Sequence, residues 1–276
     1  MKPIVKWPGG KLQLLPKIKE LLPTTYNKYY EPFLGGGAIL LDLCPEEAVV
    51  NDINSELINM YLQVRDNVER VINELAKFDM LHEADPEPKL LYYDIRKDFN
   101  KCLGSNTPTQ AARFIYLNKH CFNGLYRVNS KGEFNVPFNG KLTGRSFDAE
   151  HLREVSKQIQ NVEFTCCDFT QALAAAYSEE GSLVYLDPPY DPDEDIKTNG
   201  FVAYQKDGWG RHDTEKLKSI CDDLTARGCN IILSNNDTAF IRELFKDYKI
   251  HNIDVRRSIN RNGDNRKGKE VIITNY

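Results

Sequence analysis

The sequence holds no C-x-x-C pair among its seven cysteines, and the adjacent Cys166 and Cys167 are a poor zinc spacing. None of its five histidines stands at metal-ligand spacing from another. No bound metal and no disulfide framework are expected, and the thiols read as reduced. The opening stretch MKPIVKWPGGK has no apolar core of the kind a secretory signal needs. No apolar run approaches the length that spans a bilayer. A soluble, cytoplasmic protein without a membrane partner is expected. Strong charge of one sign is also missing. The net charge of the 276 residues is −4, so bulk composition does not announce a polyanion partner.

What is present is unevenly placed. Residues 256–269 (RRSINRNGDNRKGK) carry a local +5 and residues 127–145 (RVNSKGEFNVPFNGKLTGR) a local +3, which leaves −12 on the remainder. Two basic islands on an acidic body suit a protein that meets a polyanion with one face.

The chain alternates in period. Strands are predicted at 29–33, 47–51, 162–167, 182–187, 229–234 and 270–274. Helical runs at 148–160, 170–177 and 213–227 separate the later ones, which predicts an α/β sheet, largely parallel. A helical pattern over 11–22 contains Pro16. Residues 55–103 read as helix with a break at ADPEP (84–88), and 109–121 as another helix. Residues 124–138 read as a β-hairpin turning at SKGE, with Gly132 in the left-handed position. The stretch 56–160 therefore interrupts the sheet pattern as an insertion between 1–55 and 161–276.

Several polar segments follow predicted strands, where open α/β sheets gather ligands. In LVYLDPPYDP, a buried run meets Asp187, Pro188, Pro189 and Tyr190. Prolines carry no N–H and fix φ, and they hold the preceding residue out of the helical region. The corner is thus stiff and rich in acceptors. That suits a site that must accept hydrogen bonds from a substrate amine. Equally, it is what a strand followed by a rigid turn looks like. FLGGGAIL lacks the third glycine of a dinucleotide loop, since Leu40 stands there. Gly35 and Gly37 still permit close approach at a helix start, and Asp52 can accept from both hydroxyls of a ribose. A ribose and a carboxylate without a phosphate describe S-adenosylmethionine.

KWPGGK (Lys6–Lys11), EPFLGGG (Glu31–Gly37), NDIN (Asn51–Asn54) and DPPY (Asp187–Tyr190) occur in that order. The set resembles the Dam-type (alpha, D12 class) adenine-N6 DNA methyltransferases, and the likeness extends from end to end. LNKHCFNGLYRVNSKGEFNVPF (117–138) is similar to that family's DNA-reading hairpin, and RRSI (256–259) to its C-terminal basic motif. The resemblance implies a Rossmann-like S-adenosylmethionine-dependent sheet (1–55 and 161–276). Its insertion (56–160) would be a mostly helical target-recognition domain carrying the hairpin. It implies S-adenosylmethionine contacts for Trp7, Lys11, Phe33, Gly35, Asp52 and Asp168. It places Lys6, Arg127 and Pro137 on the outer bases of a GATC site. Phe122 and Asn123 would enter the duplex beside a flipped base, with Asn129 of the same hairpin also in the DNA-contacting set. Asn139-Gly140-Lys141 follows the hairpin, one position longer than in the family's GATC enzymes. Arg256 and Arg257, with Arg261, Arg266 and Lys269, suit phosphate contacts. The expected partner is double-stranded DNA, with the protein acting as a monomer in a bacterial or phage-infected cell, alone or beside a cognate restriction endonuclease. Residues 191–210 read as a flap. Two alternatives stand beside this reading: a methyltransferase for another planar amine, and an idle DNA-binding protein.

Overall fold

The structure is a computed structural model that describes residues 1–192, 208–256 and 267–276. Most of the expected flap and Arg257, Arg261 and Arg266 lie outside the described residues. Arg256 ends a strand, and its side chain lies outside the description.

In chain order the described elements are α1 (Leu15–Glu20), β1 (Tyr29–Glu31), α2 (Ala38–Leu43), β2 (Ala48–Asn51), α3 (Ser55–Ala84), α4 (Pro88–Lys101), α5 (Pro108–His120), α6 (Ala149–Gln158), β3 (Val162–Thr165), α7 (Phe169–Ala174), β4 (Leu183–Leu186), α8 (Arg211–Ala226), β5 (Asn230–Asn236), α9 (Ala239–Leu244), β6 (Lys249–Arg256) and β7 (Lys267–Thr274). They fall into two compact units. The first comprises residues 1–10, 35–44 and 52–166, and the second residues 11–34, 45–51 and 167–276.

The second unit is built on strands in the order β2-β1-β4-β5-β7-β6. β2, β1, β4 and β5 run parallel, while β7 is antiparallel to both β5 and β6. Every residue of β1, β2 and β4 is buried, Glu31 and Asn51 included, as parallel strands covered on both faces require. Leu173, Leu217, Cys221, Leu224 and Phe245 pack with Val184, Leu186, Ile231 and Leu233 in its core. Strand order reverses between β1 and β4, so their carboxyl ends flank a switch point where ligands collect. Helix α9 and strand β6 stand in a stretch for which the sequence pattern predicted no element: β6 breaks the polar–apolar alternation at His251 and Asn252, and α9 is only six residues long.

The first unit is mainly helical. Asn54 starts α3 by accepting the Glu56 and Leu57 N–H groups at 3.1 Å each, and Thr107 caps α5 in the same way. The ADPEP break is real: Asp85 accepts the Glu87 N–H at 2.8 Å, and Pro88 opens α4. Glu56, 4 % exposed, is satisfied by the Gln110 amide at 2.9 Å and by the Gly104 N–H at 2.6 Å. The 124–138 segment does fold back on itself. It is joined by isolated antiparallel bridges, Cys121 with Phe138 and Val128 with Phe134, rather than by two full strands. The arms bond at alternate residues, the Asn129 N–H to the Glu133 carbonyl at 2.9 Å and the Asn135 N–H to the Arg127 carbonyl at 3.0 Å, and α4 takes the outward-facing groups of the second arm. Asn100 accepts the Phe134 N–H at 2.9 Å and donates to the Phe134 carbonyl at 3.1 Å, while the Tyr92 hydroxyl donates to the Val136 carbonyl at 2.8 Å.

Candidate active site

Strand register builds the corner in the second unit. Leu186 pairs with Leu233, so the next residues, Asp187 and Ser234, fall side by side. The Ser234 hydroxyl donates to Asp187 Oδ1 at 2.9 Å. Lys11 Nζ stands 2.7 Å from Asp187 Oδ2 and 4.7 Å from the centre of the Tyr190 ring. Lys11 is 7 % exposed, so this is a nearly desolvated ion pair. Each carboxylate oxygen is thus held by one donor and keeps a further lone pair for another. Tyr190 donates to Glu270 at 3.3 Å. Burial, followed by the charges of Asp187 and Glu270, holds its phenol far above the ordinary tyrosine range, so it is neutral. Tyr185, buried beneath, is pushed the same way by burial and then by Asp187.

Phe33 meets Phe169 at 5.6 Å and the edge of Trp209 at 5.5 Å, which makes an aromatic wall in this unit. Asp168 caps α7: its Oδ1 accepts the Thr170 N–H at 2.9 Å and the Thr170 hydroxyl at 2.5 Å. Lys11, grouped by resemblance with the cofactor residues, contacts the Asp187 carboxylate.

In the first unit the glycine turn is shaped around Trp7. Gly35 and Gly37 have φ of 50° and 64°, left-handed values that favour glycine. A Cβ on Gly35 would come within 2.8 Å of the Trp7 ring. Trp7 in turn stacks on Tyr126, with centroids 5.3 Å apart. Asp52 Oδ2 accepts the Gly35 N–H, and its Oδ1 the Asn54 N–H, each at 2.9 Å. Burial raises its carboxyl above the ordinary 3.8, and these two bonds pull the other way. A carboxylate so fixed beside a glycine turn and an indole could hold a ribose-bearing ligand.

The same unit holds residues expected to meet DNA. The Lys6 N–H donates to the Asn118 side chain at 2.9 Å, which returns a bond to the Lys6 carbonyl at 2.8 Å and reaches the Gly124 carbonyl at 3.2 Å. A Cβ on Gly124 would lie 2.7 Å from Lys6. Phe122 is 52 % exposed, and its N–H donates to the Pro137 carbonyl at 2.8 Å. Asn123 takes a left-handed φ of 57°. Arg127 is exposed, steered by Asn135 at 2.7 Å. Asn129 builds the turn itself, accepting the Lys131 and Glu133 N–H groups at 2.9 and 3.0 Å. Sequence reading set Ser234 at a strand end on the ligand edge without giving it a role, and gave none to Asn118, Trp209 or Asn135. Only the strand-end position of Ser234 offered a signal, because the other three act through long-range or cross-turn contacts.

A carboxylate fixed at a parallel-strand end, between a lysine and a serine and next to a neutral tyrosine, is equipment for transfer to a planar amine. Its sheet agrees with the Rossmann-like fold of the methyltransferases. The chain belongs to the D12 class N6 adenine-specific DNA methyltransferase family, whose sequence model matches residues 7–259. It is similar to the Type II methyltransferase M1.LlaDCHI of Lactococcus lactis subsp. cremoris, with 38 % identity over 100 % of this chain and 96 % of that one. The Type II methyltransferase M.MjaIII of Methanocaldococcus jannaschii is also 38 % identical, over 100 % and 99 %. The DNA adenine methylase of Escherichia coli strain K12 is 34 % identical, over 99 % and 94 %. The enzyme is thus an S-adenosylmethionine-dependent adenine-specific DNA methyltransferase, with DNA as its substrate. Among the described residues no helix is long and apolar enough to cross a membrane.

Proposed function

We propose that the enzyme methylates N6 of adenine within GATC in duplex DNA, acting on a base flipped out of the stack. The observation that carries the chemistry is the Asp187 carboxylate, held on one oxygen by Ser234 and on the other by Lys11. The N6 lone pair of adenine is delocalised into the ring. Acceptors fixed at Asp187 and the Pro188 carbonyl draw the two N–H groups out of plane and localise that pair. Because they are fixed before the reaction, they need not reorganise during it. Tyr190 offers its neutral ring for stacking. When bound, S-adenosylmethionine supplies a methyl group on a sulfonium, and the protein's part is to position it.

Trp7, Gly35, Gly37 and Asp52 in the first unit, and Phe33 and Asp168 in the second, are assigned to that cofactor. The free acceptor capacity of Asp52 and the Trp7-backed glycine turn support this for the first unit. Lys11 is assigned to the Asp187 corner as well as to the cofactor. On the DNA side, Lys6, Arg127 and Pro137 read the outer bases of the site. Phe122 and Asn123 enter the duplex, and Asn129 shapes the loop that carries them. Arg256 and Arg257 hold phosphates. The exposure of Phe122, and the backbone bond tying it to Pro137, support a loop that presents a wedge. Residues 56–160 then form the target-recognition part. Unstacking costs a few kcal/mol, which phosphate contacts and the inserted side chain offset.

The test is to incubate the purified protein with plasmid and labelled S-adenosylmethionine. The product is then cut with endonucleases blocked or unblocked by adenine methylation at GATC. Protection confined to GATC is expected. Label at other sequences would overturn the specificity, and label without N6-methyladenine would overturn the chemistry.

A further inference from the structure

The residue after the DPPY corner is an acid that the chemistry above does not use. Asp191 is 3 % exposed, with its side chain at 1 %. A lone buried carboxylate would be costly, yet this one is fully engaged. Its Oδ1 accepts the Arg211 Nε–H at 3.1 Å, at the first residue of α8. Its Oδ2 accepts the hydroxyl of Thr238, the N-cap of α9, at 2.7 Å. The main-chain N–H of Asp191 donates to Asn235 Oδ1 at 3.0 Å, and its carbonyl accepts from Asn236 Nδ2 at 2.7 Å. Phe240 of α9 backs Arg211, whose guanidinium lies 4.7 Å from the ring centre.

The two ends of the corner are therefore pinned to three consecutive residues of one strand. Ser234 holds Asp187 at the front, while Asn235 and Asn236 hold Asp191 at the back. Pro188, Pro189 and Tyr190 lie between. Prolines stiffen the corner but form no N–H bonds of their own, so its orientation depends on how its ends are tied. We infer that Asp191 is a positioning residue for methyl transfer: clasped by Arg211 and Thr238, it fixes the far end of the corner so that Asp187, the Pro188 carbonyl and Tyr190 face the adenine in one orientation. The inference rests on the function proposed above and deepens it, since a displacement of about 1 Å at a reacting centre costs on the order of 100-fold in rate.

The experiment compares wild type, Asp191→Ala and Asp191→Asn. Steady-state methylation of a duplex is measured alongside amide hydrogen exchange of the peptide that covers the corner. Asp191→Ala is expected to lower kcat on the order of 10- to 100-fold. KM for duplex and for S-adenosylmethionine should change little, and exchange should accelerate at Tyr190 and Asp191 but not in β4 or β5. Asp191→Asn keeps the side chain's size and one acceptor oxygen for Arg211, and the Thr238 hydroxyl can turn to accept from the new amide, so most of kcat should return. An unchanged kcat in Asp191→Ala overturns the inference, and so does faster exchange spread evenly through β4 and β5, which would mark general loosening. If Asp191→Ala does not fold, Arg211→Met removes one clasp at a half-exposed site. Its kcat is then expected to fall with KM held, and wild-type kcat would overturn the inference. Failure of the functional reading is separable, because wild type would then leave adenine unmethylated while the exchange comparison still decides whether Asp191 holds the corner.

Discussion

Replacing Ser234 with alanine tests whether the sheet itself aims the Asp187 carboxylate proposed to act in catalysis. Ser234 is fully buried and sits between two groups: Tyr185 Oη at 3.2 Å and Asp187 Oδ1 at 2.9 Å. A serine hydroxyl has one proton. The carboxylate can only accept, so that proton goes to Asp187, and the tyrosine, kept protonated by burial, donates to Ser234. Ser234→Ala removes a hydrogen bond to a charged acceptor, worth about 1.5–3 kcal/mol, and strands the Tyr185 hydroxyl at about 1–3 kcal/mol. If the first loss is felt wholly in the transition state, single-turnover methylation slows by about 10- to 150-fold, at 1.36 kcal/mol per tenfold. The second loss appears as a lower midpoint in denaturant. Adding Tyr185→Phe should recover much of the stability, because the stranded hydroxyl is gone, but none of the rate. A folded Ser234→Ala enzyme that transfers methyl groups at the wild-type rate would refute the reasoning, as would a rate restored by Tyr185→Phe.

Three more outcomes are expected. Arg127→Ala should relax discrimination at one outer base by about 1–3 kcal/mol in a competition between cognate and single-mismatch duplexes; equal weakening on every sequence would contradict base reading. Burial raises the Asp52 carboxyl, so it takes up its proton at a higher pH than an ordinary aspartate. S-adenosylmethionine affinity, followed by calorimetry as pH falls from neutrality, should therefore drop before the ordinary carboxylate range is reached. In Asp52→Asn that pH dependence should vanish; a midpoint at or below 3.8 would count against the assignment. His120, 2 % exposed, is pushed down to about 3 by burial, with His82 and Lys119 adding to the effect. The unfolded chain binds a proton below about pH 6.5 that the folded chain refuses. Folding stability should thus fall by up to about 2 kcal/mol between pH 7 and 5, and the drop should shrink in His120→Asn when measured by denaturant unfolding.

The positions of most helices and strands were readable because local rules decide them. Asn54 and Thr107 cap their helices through bonds to residues two or three places on, and the prolines of ADPEP end one helix and open the next. The hairpin was readable as a reversal, since Asn129 and Gly132 act within five residues of each other, but the bonds of its second arm to Asn100 were not, since Asn100 stands 34 residues from Phe134. Trp7 against Gly35, and Lys6 against Gly124, are likewise long-range contacts that no local pattern encodes. The chemistry divides along the same line. By itself the sequence determined a rigid, acceptor-rich turn at Asp187–Tyr190 and a glycine turn ahead of an acid, because proline and glycine restrict or free the backbone where they stand. Only the tertiary structure decided what holds those acceptors: Ser234 through the register of two parallel strands, Lys11 from near the start of the chain, and the clasp on Asp191. Such partners are selected by which backbones lie within hydrogen-bond reach after folding, a distance that neighbours in sequence do not report.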